Sequence, residues 1–319
     1  IAKNTTWNST IVGSTIQIRG VVRVKNGATL TIDGITVEFA DQGQSGMWSF
    51  ILVEPGGRLI VKNGSRLTSI SGCESSTWPG IYVASQFDET IAQGEVRLEG
   101  TLNDSIFIEN AEDAIVTGDL FSISRNYWRS MGGIVHVEYV HFKNNLRDIA
   151  INKFDWEGKI PSVIGWNYPV TIENCTFFKN RQFAKPRLSR GGSVTLWDVH
   201  GVELVDCVWD FDGVDYRDQD VLAGIVSYDA SFKVTGTALS GEATSRFKNC
   251  QGVSFYYLEV EELKEIAIYK ATIGRDGTAV FRKLSPIDSF KNRGQFYLRY
   301  FSLEGIFDDG GGSAKTRNR

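Results

Sequence analysis

The sequence predicts an all-β chain wound as a single-stranded right-handed parallel β-helix. Three observations predict it: short segments with alternating apolar residues, a register that recurs from segment to segment, and no helical stretch between them. The composition agrees. The chain has 319 residues, 42% of them hydrophobic, with 33 Gly, 6 Pro and many Val, Ile, Thr, Phe and Tyr. β-branched and aromatic residues suit a pleated, half-buried surface.

The elements follow in order. Gly27-Ala28-Thr29-Leu30-Thr31-Ile32 is echoed by Gly56-Gly57-Arg58-Leu59-Ile60-Val61. Each leads through a Gly-containing turn into a second short strand, Thr36–Phe39 and Arg66–Ser69. Val170–Phe177 aligns without a gap on Val202–Trp209, and this places Cys175 opposite Cys207, with Phe247-Lys248-Asn249-Cys250 as a later relative. Phe142–Ile151 is matched more loosely by Val260–Ile268. A sandwich has no need for Leu30 to match Leu59. A coil has, because each inward residue sits on its counterpart one strand spacing away, about 4.8 Å. The solenoid is therefore preferred.

Where repeats lengthen, the surplus must leave the coil as loops: Asp41–Ser49, Ser71–Pro79, Asp155–Trp166, Lys179–Arg190 and Gly213–Gln219. Such loops carry function on a rigid scaffold. Residues 1–307 are read as the coil, with 274–307 as irregular last turns or a cap, and 308–319 as a Gly-rich then basic linker or tail. The chain opens at Ile1 rather than Met, as after leader removal or in an excised fragment.

Charge excludes some partners. With 34 basic and 38 acidic residues the net charge is −4, which gives no long-range attraction for nucleic acid. No run approaches the roughly 20 apolar residues of a transmembrane helix. Cys73, Cys175, Cys207 and Cys250 lack the close spacing of zinc ligands. Stacked in adjacent coils, Cys175 and Cys207 fit either a disulfide or two neighbouring buried thiols. His136, His141 and His200 form no metal or triad pattern.

Five segments also carry a family likeness. They are Gly56–Val61 followed by Thr77–Val83, Gly133–Val137 running into Phe142–Asn145, Asn174–Phe177, Ser193–Val202, and Gly224–Phe232. In this order they resemble the large secreted β-helix proteins of Bacteroidota, which are typically cargo of the type IX secretion system. The likeness spans roughly residues 5 to 270. It implies export, contact with the secretion machinery, and an extracellular or outer-surface location. In that family a C-terminal sorting domain follows the coil, a place taken here by the linker. The resemblance implies no particular activity.

The densest polar run is Asp206, Asp210, Asp212, Asp215, Asp218 and Asp220. Asp210 and Asp212, two apart on one strand, point the same way. With Asp215 they are the candidate catalytic acids, since glycoside hydrolysis needs two carboxylates across one bond. The run is similar to the acidic strand of pectin-degrading β-helix hydrolases. The downstream Gly-His-Gly and Arg-x-Lys of that family are missing, and His200-Gly201 lies upstream. The same oxygens suit calcium, and the sequence points to no other cofactor. The plainest reading is a solvated acidic turn. Lys179, Arg181, Lys185, Arg187 and Arg190 around Phe183 form a basic stretch that either holds an acidic glycan or is an ordinary loop. Trp48, Trp128, Trp156 and Trp166 fall in or beside loops as glycan-stacking candidates, whereas Trp78 and Trp197 read as structural. The expectation is a non-catalytic extracellular scaffold, adhesin-like, binding a glycan or surface protein. Its rival is a carbohydrate-active hydrolase or lyase using residues 206–220.

Overall fold

A computed structural model describes residues 1–40, 49–70, 77–84, 93–118, 133–152, 170–180, 192–197, 199, 201–211, 223–228, 230, 232–235, 245–248, 250–256, 265–269, 271–273, 282–283, 295–299 and 302–303; beyond Cys250 the description is of backbone strands.

The chain is a parallel β-helix. Two ten-stranded sheets and one nine-stranded sheet run along it, and successive strands visit the three in rotation. Sheet 1 begins with Thr5–Asn8, Thr29–Asp33 and Arg58–Lys62. Sheet 2 begins with Thr15–Ile18, Thr36–Phe39 and Arg66–Ser69, and sheet 3 with Val21–Val24, Phe50–Val53 and Trp78–Val83. All the pairings are parallel, and the last run through Gln295–Arg299 and Ser302–Leu303. The only helix among the described residues is Ser9–Val12, a single turn in the first coil capped by the Asn8 side chain.

The predicted register holds where the repeats are closest. Leu30 pairs with Leu59 and Ile32 with Val61, while Thr36 pairs with Arg66. Ile172 pairs with Leu204 and Phe177 with Trp209. Alternation decides which side chains enter the core. One interior column of sheet 2 runs Ile16, Val37, Leu67, Ile108, Phe142, Phe177, Trp209, Phe247. Its four aromatic rings stack nearly parallel, with centroids 5.2, 5.0 and 4.3 Å apart. The strand spacing itself sets that separation, so offset ring stacking comes with the fold.

In four of the crossings between sheets 1 and 2 a non-glycine residue is left-handed. Asn63, Tyr139, Asn174 and Asp206 have φ of 54, 49, 53 and 53°. Asn and Asp tolerate this conformation through their short polar side chains, whereas Tyr139 adopts it at a steric cost. The corner amides stay in the ladder: Tyr139 N–H donates to the Glu173 carbonyl, Asn174 to Val205 and Asp206 to Thr235.

Two sequence matches are corrected. Phe142–Ile151 and Val260–Ile268 are not equivalent, because Arg147–Ile151 lies in sheet 3 and Glu265–Tyr269 in sheet 1. An apolar alternation reads alike on any sheet. Cys250 does not continue the Cys175–Cys207 column either. Ser245 takes that place, its hydroxyl accepting the Cys207 N–H at 3.1 Å, since Phe247 rather than Cys250 is aligned to Trp209.

Candidate functional site: the side of the coil at sheet 3

Connection lengths single out one side of the coil. Between sheets 1 and 2 the chain crosses by 9–14, 34–35, 63–65, 100–105, 139, 174–175 and 206–207, and beyond Ala223 by the longer span 236–244. The long connections up to Ala223 all enter or leave a strand of sheet 3: 40–49, 70–77, 84–94, 118–133, 152–169, 179–193 and 211–222. Of the loops predicted from the sequence, 41–48, 71–76, 155–166, 181–190 and 213–219 lie outside the described residues, and two described ends are adjusted. Trp78 and Pro79 belong to a strand, and Ser49 is fully buried.

From Phe50 to Ile151, sheet 3 also carries buried apolar residues on both faces. Phe50–Val53 and Trp78–Val83 are buried at every residue, whereas Thr29–Asp33 and Thr36–Phe39 alternate. Ile51, Ile81, Ile115 and Ile149 face the interior core. Phe50, Leu52, Tyr82, Ala84, Val116 and Ala150 form a second, separate cluster on the outer face. Leu52, Tyr82, Val116 and Ala150 follow one another in register along it, and Phe50 meets Tyr82 edge to face at 5.3 Å. Gly80 lets neighbouring chains close up here: its φ is 119°, and a Cβ would fall 1.6 Å from the Asp113 carbonyl oxygen.

The edge of sheet 3 nearest sheet 2 holds polar groups without solvent. Arg147 Nε donates to Asp113 at 2.7 Å. Asp148, Asn145, Lys179 and Ser193 are all fully buried. Asp148 accepts from Asn145 at 2.8 Å and from Ser193 at 2.5 Å, and the Lys179 ammonium lies 3.6 Å away. Burial pushes the lysine pKa down, and Asp148 partly offsets this. This corrects the reading of Lys179 as the start of an exposed basic loop. It follows Phe177-Phe178 directly and turns into the coil. Lys185, Arg187 and Arg190 lie outside the described residues, as do Arg181 and Phe183.

Of the candidate acids, Asp206 is a corner residue and Asp210 ends the strand Val208–Asp210, half-buried. The strand stops there, and Phe211 behind it is fully buried; Asp212, Asp215, Asp218 and Asp220 lie outside the described residues. Trp48, Trp128, Trp156, Trp166, His200 and Cys73 lie outside them too. Among the described residues no group of three or more His, Cys, Asp or Glu is placed to hold a metal ion. Trp78 is structural, as expected: it stacks on Phe39 at 4.1 Å and its indole N–H donates to the Glu109 carbonyl. Cys175 and Cys207 are free thiols inside the core, and burial, together with Cys207 alongside, pushes Cys175 well above the ordinary thiol range.

Two features of the solvent face escaped sequence reading. On sheet 2, Arg66, Phe107 and His141 align across coils, with the guanidinium 4.7 Å above the Phe107 ring and the imidazole stacked 5.0 Å from it. On sheet 1, Glu99, Glu138 and Glu173 fall in one column. Burial and the charges of Glu138, Glu203 and Asp206 raise the Glu173 pKa above its ordinary value. Only the pairing of coils far apart in sequence creates either column. Glu95 behaves oppositely. Burial alone would raise it, but hydrogen bonds and charge from Arg97 and Arg58 outweigh that and hold it low.

No family model matches the chain, and no curated protein matches it.

Proposed function

We propose that this chain is a non-catalytic β-helix scaffold, exported as type IX secretion cargo to the outer cell surface or the medium, where it binds an extended glycan or surface protein. One observation carries the binding side: every long connection up to Ala223 begins or ends at a strand of sheet 3, whose outer face is apolar from Phe50 to Ala150. A rigid row of strands that places variable segments along one side suits an extended ligand. Ion pairing supports a non-catalytic reading. The four carboxylates most deeply buried among the described residues, Glu95, Glu109, Asp113 and Asp148, each have a cationic partner. A general acid or nucleophile needs instead a carboxylate open to substrate. Export and location rest on the resemblance to secreted β-helix proteins.

A polysaccharide and surface-protein array, read for retention and for product release with and without EDTA, tests this reading. Retention without release supports the scaffold. Depolymerisation abolished by Asp212→Ala replaces it with a carbohydrate-active enzyme at Asp210, Asp212 and Asp215. Retention lost in EDTA and restored by calcium assigns those acids a metal role within the scaffold. An intact chain that retains nothing rejects the binding proposal.

A further inference from the structure

An amine and a carboxamide flank one carboxylate, sealed from water, where sheet 2 hands the chain to sheet 3. Lys179, Asn145 and Asp148 each have essentially no exposure. Lys179 and Asn145 belong to successive coils, and the lysine Nζ donates to the Asn145 main-chain carbonyl. The Asp148 carboxylate touches both partners. One oxygen accepts from Asn145 Nδ2 at 2.8 Å, and the other lies 3.6 Å from Lys179 Nζ while accepting from Ser193 Oγ at 2.5 Å. The Asn145 Oδ1 accepts the Ala111 backbone N–H at 2.8 Å, which polarises the carboxamide towards attack at Cγ. The Phe211 ring, 5.5 Å from Nζ, closes the apolar side.

We propose that Lys179 and Asn145 become joined by an intramolecular isopeptide bond, with Asp148 as the group that moves the protons. Asp148 takes a proton from the Lys179 ammonium, leaving an amine lone pair. That lone pair attacks Asn145 Cγ, and the Ala111 N–H holds the charge that develops on Oδ1. A proton returned through Asp148 to Nδ2 lets the Cγ–Nδ2 bond break, and the nitrogen departs as ammonia, which takes up the second proton given off by the lysine nitrogen. One carboxamide and one ammonium become one secondary amide and one ammonium ion, without oxidant or co-reactant. Burial favours each stage. It disfavours the charged lysine, excludes hydrolytic water, and keeps the reacting groups from diffusing apart. The product also removes a buried cation, an expensive group even when paired. Its effect is a covalent rung between two coils at the base of connection 179–193.

Intact-mass measurement of the purified 319-residue chain decides the matter. The expected result is a deficit of about 17 Da, the mass of ammonia. Protease digestion then yields one branched peptide containing both Asn145 and Lys179. Lys179→Met and Asp148→Asn are expected to show full mass, with a circular-dichroism spectrum reporting whether each still folds. Wild-type protein at full mass, with the two peptides recovered separately, overturns the proposal even if no variant folds. A deficit that persists in Lys179→Met also overturns it, because the ammonia then comes from an asparagine cyclising elsewhere.

Discussion

Sheet 1 and sheet 3 are built from the same strand type in the same coil, yet they meet their surroundings differently. On sheet 1 the outward residues of one column are Thr31, Ile60, Arg97, His136, Thr171 and Glu203, a mixed row open to solvent. On sheet 3 the equivalent row starts at the exposed Arg23, turns buried and apolar through Leu52, Tyr82, Val116 and Ala150, and continues to the buried Thr195. A parallel strand covered on both faces reads as a continuous apolar run, and Phe50-Ile51-Leu52-Val53 is such a run. The lesson is that a β-helix need not be uniform around its axis. One side is structural wall, and another has a second apolar layer between long connections.

Five substitutions, in four comparisons, break or sharpen this contrast. The largest effect is expected at the junction of sheets 2 and 3, where Asp148→Ala leaves Lys179 unreacted, its ammonium stranded in the core without the carboxylate. Removing one partner of a buried pair costs about 3–5 kcal/mol, read as a lowered denaturant midpoint. An unchanged midpoint would mean that the junction is not sealed. Next, Leu52→Ala on the outer face of sheet 3 should cost about 2–5 kcal/mol, and Thr171→Ala on sheet 1 no more than about 0.5 kcal/mol. Equal effects would erase the difference between the two sheets. Third, Tyr139→Asn at the corner of sheets 1 and 2 should stabilise by about 1 kcal/mol, by relieving a left-handed conformation that Asn tolerates. A loss of stability would show that the Tyr139 side chain contributes more than its backbone costs.

The smallest effect is a pH dependence on sheet 1. The folded-state pKa of Glu173 is raised, by burial first and then by Glu138, Glu203 and Asp206. The folded chain therefore binds this proton more readily than the unfolded one. Stability falls as pH climbs from the ordinary glutamate value through the raised one, and returns on acidification. Glu173→Gln should flatten that part of the thermal-midpoint profile and slightly raise the midpoint at neutral pH. A profile identical to that of the unsubstituted chain would show that the acidic column exerts no strain.

The coil was legible wherever a repeat is nearly literal. Leu30 over Leu59 and Phe177 over Trp209 follow from alignment alone, because a solenoid turns sequence repetition into spatial stacking. Legibility failed where like segments fall at different corners. Cys250 looks like Cys207 in local sequence, yet it follows the sheet 2 strand Ser245–Lys248, whereas Cys207 precedes Val208–Asp210. Of the candidate site, the long connections were visible as unequal spacings. The buried Lys179, Asp148 and Asn145 were not. A lysine after two phenylalanines looks like the edge of a basic loop unless the aspartate one coil away is known to face it.

By itself, then, the sequence determined the strand type, the alternation and the stacking order, since these depend on near neighbours and on a repeated spacing. The tertiary structure alone decided which sheet each strand joins, which outer face is covered, and which charges meet in the core. Those outcomes depend on the summed lengths of intervening segments, a quantity that no single motif carries.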